Sequence, residues 1–133
     1  MSSTHLVLHD PEGRLDTEVP LDRELHKALV KAVLGWTGDP ALPPADLQQI
    51  ALLLTGTARA VAADVRRAAG LLSEDHAARA LADVVLEEAA LRLSALPEGT
   101  ARCVQDRARL VRALYERLDR LVAVAPQTVT AAI

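Results

Sequence analysis

The chain has no phenylalanine, and it carries one tryptophan, one tyrosine and one cysteine among 133 residues. With Cys103 alone, no internal disulfide and no multi-cysteine zinc or iron–sulfur site is open to a single chain. An aromatic content of 2% leaves few rings on which bases could stack, and a net charge of −3 with a pI near 5.8 opposes a phosphate backbone. No helix-turn-helix signature offsets this, so nucleic acid is not an expected partner. Also missing is any run of about twenty apolar residues without a charge or breaker, so no helical membrane span is expected. No basic stretch leads into a hydrophobic one at the amino terminus, and the expected location is the cytoplasm. Glycine-rich phosphate loops, nucleophile elbows and paired carboxylates at a catalytic spacing are likewise absent. His5, His9, His26 and His76 form no ligand pair on a helix face, so neither a metal nor another cofactor is expected.

What the chain has is helical periodicity. Half of its residues are hydrophobic, and from Leu21 onward they recur at spacings of three and four, in stretches too long for buried strands. A first segment, about residues 21–36, aligns Leu21, Leu25, Leu29, Val33 and Trp36, with Glu24, Lys27 and Lys31 opposite. Pro43-Pro44 and Asp46 open a second, since proline in the first turn gives up an amide that would be unpaired and the acid meets the positive end of the dipole. Its stripe is Leu47, Ile50, Leu54, Ala58, Val61, Val65, Ala68 and Leu72, with Arg59, Arg66 and Arg67 outside. Gly56, within it, is expected to permit close packing. Ser73 is the expected cap of a third helix with Ala77, Leu81, Val84, Leu91 and Ala95 inward. After the break at Pro97-Glu98-Gly99, Thr100 caps a fourth, which carries Val104, Ala108, Val111, Leu114, Tyr115, Leu118 and Val122.

Short links between the last three helices predict an all-α fold, an antiparallel four-helix bundle over residues 21–124. Residues 1–20 form an arm in which His5-Leu6-Val7-Leu8 and the segment Arg14 to Val19 flank the turn signal Asp10-Pro11-Glu12-Gly13, the pattern of a short β-hairpin. Residues 125–133 form an uncharged tail. About 133 residues of amphipathic helix gain by burying leftover apolar surface in a two-fold dimer, through the hairpin edge or the first helix, so a homo-oligomer is expected.

Polar residues that interrupt the apolar stripes are the candidate site. Glu88 falls between Leu81 and Leu91, Arg107 lies with Val104 and Val111, and Thr57 sits between Ile50 and Val61. If successive helices reverse direction, the three share a layer, and a bidentate Glu88–Arg107 pair would let the buried carboxylate stay charged. Tyr115 lies two turns along, with a hydroxyl that needs a partner or an exit to water. The set reads either as a buried bridge that fixes helix register or as a pocket. In a pocket, Arg107 would bind a carboxylate or phosphate on a small hydrophobic or anionic ligand, Glu88 would be the candidate catalytic acid or base, and Tyr115 would orient the guest. Cys103, on the flank of the fourth helix, reads as a small hydrophobe. Arg102, Arg109 and Arg120 point outward from that helix and could meet a phosphate-bearing or protein partner.

Leu54-Thr55-Gly56-Thr57-Ala58-Arg59, Glu87-Glu88-Ala89 and Ala108-Arg109-Leu110-Val111-Arg112-Ala113-Leu114 together resemble a group of small actinobacterial helical proteins of unknown function associated with natural-product biosynthesis. The resemblance spans about residues 44–122. In that group histidine often follows the glycine corresponding to Gly56, whereas this chain has Thr57, which offers no imidazole for proton transfer. The resemblance implies a pathway context rather than a reaction. The expectation is a non-catalytic binding or accessory protein of a natural-product pathway, self-associating, with a pathway protein as a further partner. A small cofactor-free enzyme acting on a hydrophobic intermediate in the bundle core, and a regulatory protein-interaction module, are the alternatives.

Overall fold

A computed structural model describes the backbone of residues 20–125 and the side chains of residues 23–125. The expected hairpin and all but the first residue of the expected tail lie outside the described residues. Those described are all-α, four helices packed together: α1 (Pro20–Leu34), α2 (Pro44–Gly70), α3 (Ala77–Leu93) and α4 (Ala101–Ala123). None is long and apolar enough to cross a membrane.

Local chemistry sets the ends. Pro43, extended at φ −62° and ψ 150°, precedes Pro44, and its carbonyl accepts the first free amides, from Asp46 and Leu47. Thr100 caps α4 as expected, its hydroxyl accepting the Cys103 amide at 3.1 Å. Ser73 does not cap α3. The cap is His76, whose Nδ1 accepts the Ala78 amide at 3.0 Å, while the Ser73 hydroxyl accepts from Asp75 inside the preceding turn. An extended His76 at ψ 131° delays the helix, so Glu74 and Asp75 stand ahead of its first turn.

The core is aliphatic, as a chain without phenylalanine requires, and its largest fully buried side chains are Leu54, Leu114, Leu121, Val33, Val65, Val104 and Val111. α2 and α4 make the most extensive contact, α1 lies on α4, and α3 lies chiefly on α2. The α2 stripe is buried much as its spacing predicts, with Ala51, Ala62 and Ala69 added. In α4, Leu121 is buried and Val122 exposed, a shift of one position at the end of an otherwise correct stripe. In α1 the buried residues are Val30 and Val33, with Leu29, Leu34 and Trp36 packed beside them, and Leu25 is exposed.

α3 is turned the other way from its expected orientation. Leu81, Val84 and Leu91 are 45%, 62% and 67% exposed, and Ala77 and Ala95 are exposed with them, whereas Ala82, Leu86, Ala89 and Leu93 enter the core. Both faces have helical spacing. The buried one carries two alanines, which let the helix axis approach α2, and choosing it leaves Glu88 in water rather than desolvated. Gly56 is corrected too: it is exposed, and a Cβ there would meet nothing within 4 Å. Close approach belongs instead to Gly99, where a Cβ would stand 2.5 Å from the Pro44 carbonyl oxygen. This contact seats the turn before α4 on the start of α2.

Candidate functional site

Thr57, Glu88 and Arg107, expected in one layer, do not meet, and each has its partner elsewhere. Glu88 is exposed and pairs with Arg92 one turn along its own helix at 2.8 Å. Thr57 is buried, but its hydroxyl donates its one proton to the Leu53 carbonyl at 3.0 Å, a bond within its own helix. Arg107 is 5% exposed and does not meet Glu88; its two terminal nitrogens donate to the Arg92 and Ala95 carbonyls, each at 2.7 Å.

That arrangement completes the carboxyl-terminal end of α3. The Ala90 and Leu91 carbonyls accept the Ser94 amide, Leu91 also takes the Ser94 hydroxyl, and Arg59 donates to Leu93 at 3.2 Å. With Arg107 on Arg92, each of the four carbonyls that a helix leaves unpaired has a donor. Guanidinium groups also suit the negative end of the helix dipole. The expected Glu88–Arg107 bridge does not form, and Arg107 ties α4 to the end of α3 through backbone carbonyls instead.

Tyr115 stands elsewhere, on the face of α4 that meets α1. Its hydroxyl shares a 2.8 Å hydrogen bond with His26 Nδ1. The Arg23 guanidinium lies over its ring, 4.5 Å from the centroid, close enough for a cation–π contact. Arg23 is itself held by Asp119, one terminal nitrogen reaching both carboxylate oxygens at 2.6 and 2.7 Å. Further along, Gln105 donates to the Val33 carbonyl at 3.1 Å. The phenol is thus positioned from two directions by α1.

Beside this ring runs an open groove of about 550 Å³ between α1 and α4. Val30 and Leu34 supply apolar wall, Tyr115 the ring, and Lys27, Lys31 and Arg112 the cations, with Glu116 and the Arg23–Asp119 pair at its margin. Among the described residues, no carboxylate lies within ion-pair distance of Lys27, Lys31 or Arg112. Smaller clefts lie elsewhere among the described residues. One, of about 340 Å³, lies between α2 and α3 beside Arg59 and Arg66, and another, of about 390 Å³, lies at the α3–α4 turn beside Cys103 and Arg107. Cys103 there is partly buried, its sulfur accepting the Glu98 amide at 3.3 Å. No group of three or more metal-ligating side chains occurs among the described residues.

Sequence periodicity thus found Tyr115 and missed Arg23, Lys27, Lys31 and Arg112 in the lining, and His26 as the partner of its hydroxyl. The signal was available: Arg23, Lys27 and Lys31 recur every fourth residue, and His26 and Tyr115 are two polar rings on inward flanks, each needing a partner. No protein-family model, curated protein or solved structure matches the chain, so the groove stands on its geometry alone.

Proposed function

We propose that the chain is a non-catalytic binding or accessory protein whose small-molecule ligand occupies the α1/α4 groove. One observation carries this: Tyr115, held by His26 and Arg23, presents its ring beside an apolar wall and three cations that pair with no carboxylate among the described residues. A few polar groups converging on a partly apolar cleft are the usual composition of a ligand site. The cytoplasmic natural-product pathway rests on the resemblance of residues 44–122 and not on the groove. The antiparallel bundle belongs to the same reading. The pairings Arg23–Asp119, His26–Tyr115 and Val33–Gln105 support opposite directions for α1 and α4.

Self-association enters through α3. Its Leu81, Val84 and Leu91 form an apolar stripe on the side away from α2, with Glu88 set among them and Arg92 at its edge. A second copy placed by a two-fold axis would bring Arg92 against Glu88 in both directions, so this face is complementary to itself in charge as well as apolar. The hydrogen-bonded His26–Tyr115 pair favours one second reading, a small cofactor-free enzyme in which that pair, rather than Glu88, moves the proton.

Native mass spectrometry of the protein purified gently from its own host tests the reading. The expected spectrum shows a dimer retaining a small organic molecule, and Tyr115→Ala loses the molecule while keeping its helical circular dichroism. A folded Tyr115→Ala protein that retains the same molecule would remove the groove as its site.

A further inference from the structure

Resting on the groove reading, we infer that the ligand is an amphipathic organic anion, an apolar or aryl body bearing a carboxylate, sulfonate or phosphate. The charge inventory points there. Of the cations lining the groove, Arg23 is occupied by Asp119, and Lys27, Lys31 and Arg112 are not paired with any described carboxylate. Glu116 is the remaining acid of the lining, so the wall holds a surplus of two positive charges on a chain whose net charge is −3. A local surplus of this sign against the protein's overall charge is a site that attracts oxyanions.

Register then places the anion. Residue pairings of 23 with 119, 26 with 115 and 33 with 105 put Arg112 level with the stretch of α1 between Lys27 and Lys31. Cations thus face one another across the groove at one level, as a clamp on an oxyanion requires. The carbonyl end of α1, at Leu34 and Gly35, carries the negative end of the helix dipole. That end disfavours a charged group at Leu34 and Gly35, so apolar contact comes from Val30 and Leu34 on one side of the cations and from the Tyr115 ring, level with His26, on the other. A charged head and an apolar body both follow from a lining in which cations stand next to apolar side chains.

Two dyes that share a body and differ in charge separate this inference from the reading beneath it. The probes are 8-anilinonaphthalene-1-sulfonate and the uncharged N-phenyl-1-naphthylamine. They are titrated by fluorescence into the full chain carrying Leu81→Ser and Leu91→Ser, which remove the α3 stripe as a competing dye surface. Lys27→Gln, Lys31→Gln and Arg112→Gln together are expected to weaken the sulfonate about tenfold or more, the product of three modest charge contacts, and to leave the uncharged dye unchanged. Added salt should weaken the sulfonate alone. Tyr115→Ala should weaken both dyes. Sulfonate binding indifferent to all three cations, with both dyes still lost in Tyr115→Ala, would overturn the anion and spare the groove. Indifference of both dyes to Tyr115→Ala would overturn the groove itself. Circular dichroism of each variant excludes unfolding as the cause.

Discussion

α3 and α4 are consecutive helices built largely from alanine, leucine, valine, arginine and acids, yet they enter the core by different rules. In α4 the polar and apolar residues are sorted to opposite sides, and the face that spacing selects is the face that is buried. In α3 apolar residues stand all round, so spacing offers two faces, and the one with larger side chains is the one left in water. Periodicity orients a helix only when its two sides differ in the cost of burial. Where they do not, small residues and the desolvation of a single carboxylate decide.

The strongest way to break this comparison is Arg107→Ala, which leaves the Arg92 and Ala95 carbonyls without this donor and opens space between α4 and the end of α3. It should cost about 3–4 kcal/mol, read as a lower urea midpoint. Had Glu88 been its partner, Glu88→Ala would cost as much. Next in size is a matched pair on the two faces of α3, read on the monomer at low protein concentration: Leu86→Ala should cost about 2–3 kcal/mol and Leu81→Ala about 0.5 kcal/mol or less. Equal losses would mean that neither face is preferred.

Gly99→Ala forces a Cβ against the Pro44 backbone and should cost about 1–3 kcal/mol, because a backbone atom cannot swing aside as a side chain can. Gly56→Ala is expected to stabilise by roughly 0.5–1 kcal/mol, since the position is helical, exposed and open. A loss there would restore the close packing first expected of it. Smallest is Glu88→Gln, at about 0.3 kcal/mol, the worth of a solvent-screened pair one turn apart. A thermal melt in high salt should erase even that difference.

Much of the frame was legible in the residues. Pro44, Thr100 and the Pro97–Gly99 break marked helix ends through their own local chemistry, and the stripes of α2 and α4 followed from spacing. Burial of Arg107 and Thr57 was legible too, but their partners were not. Thr57 back-bonds within its own helix and Arg107 bonds to carbonyls, and a backbone acceptor leaves no mark on a sequence. The Tyr115 groove was half visible, because the hydroxyl's need for a partner is a property of tyrosine, whereas the choice of His26 depends on how α1 is laid on α4.

Sequence by itself determined that this protein is helical, where most of its helices begin and end, and that its core is aliphatic. These are consequences of local backbone energetics and composition. Tertiary structure alone decided which face of α3 is wet, what Arg107 holds, and that Arg23, His26, Lys27, Lys31 and Arg112 gather around Tyr115. Those outcomes depend on the relative rotation and register of helices, quantities in which every residue of an interface has a share and no single residue has a signature.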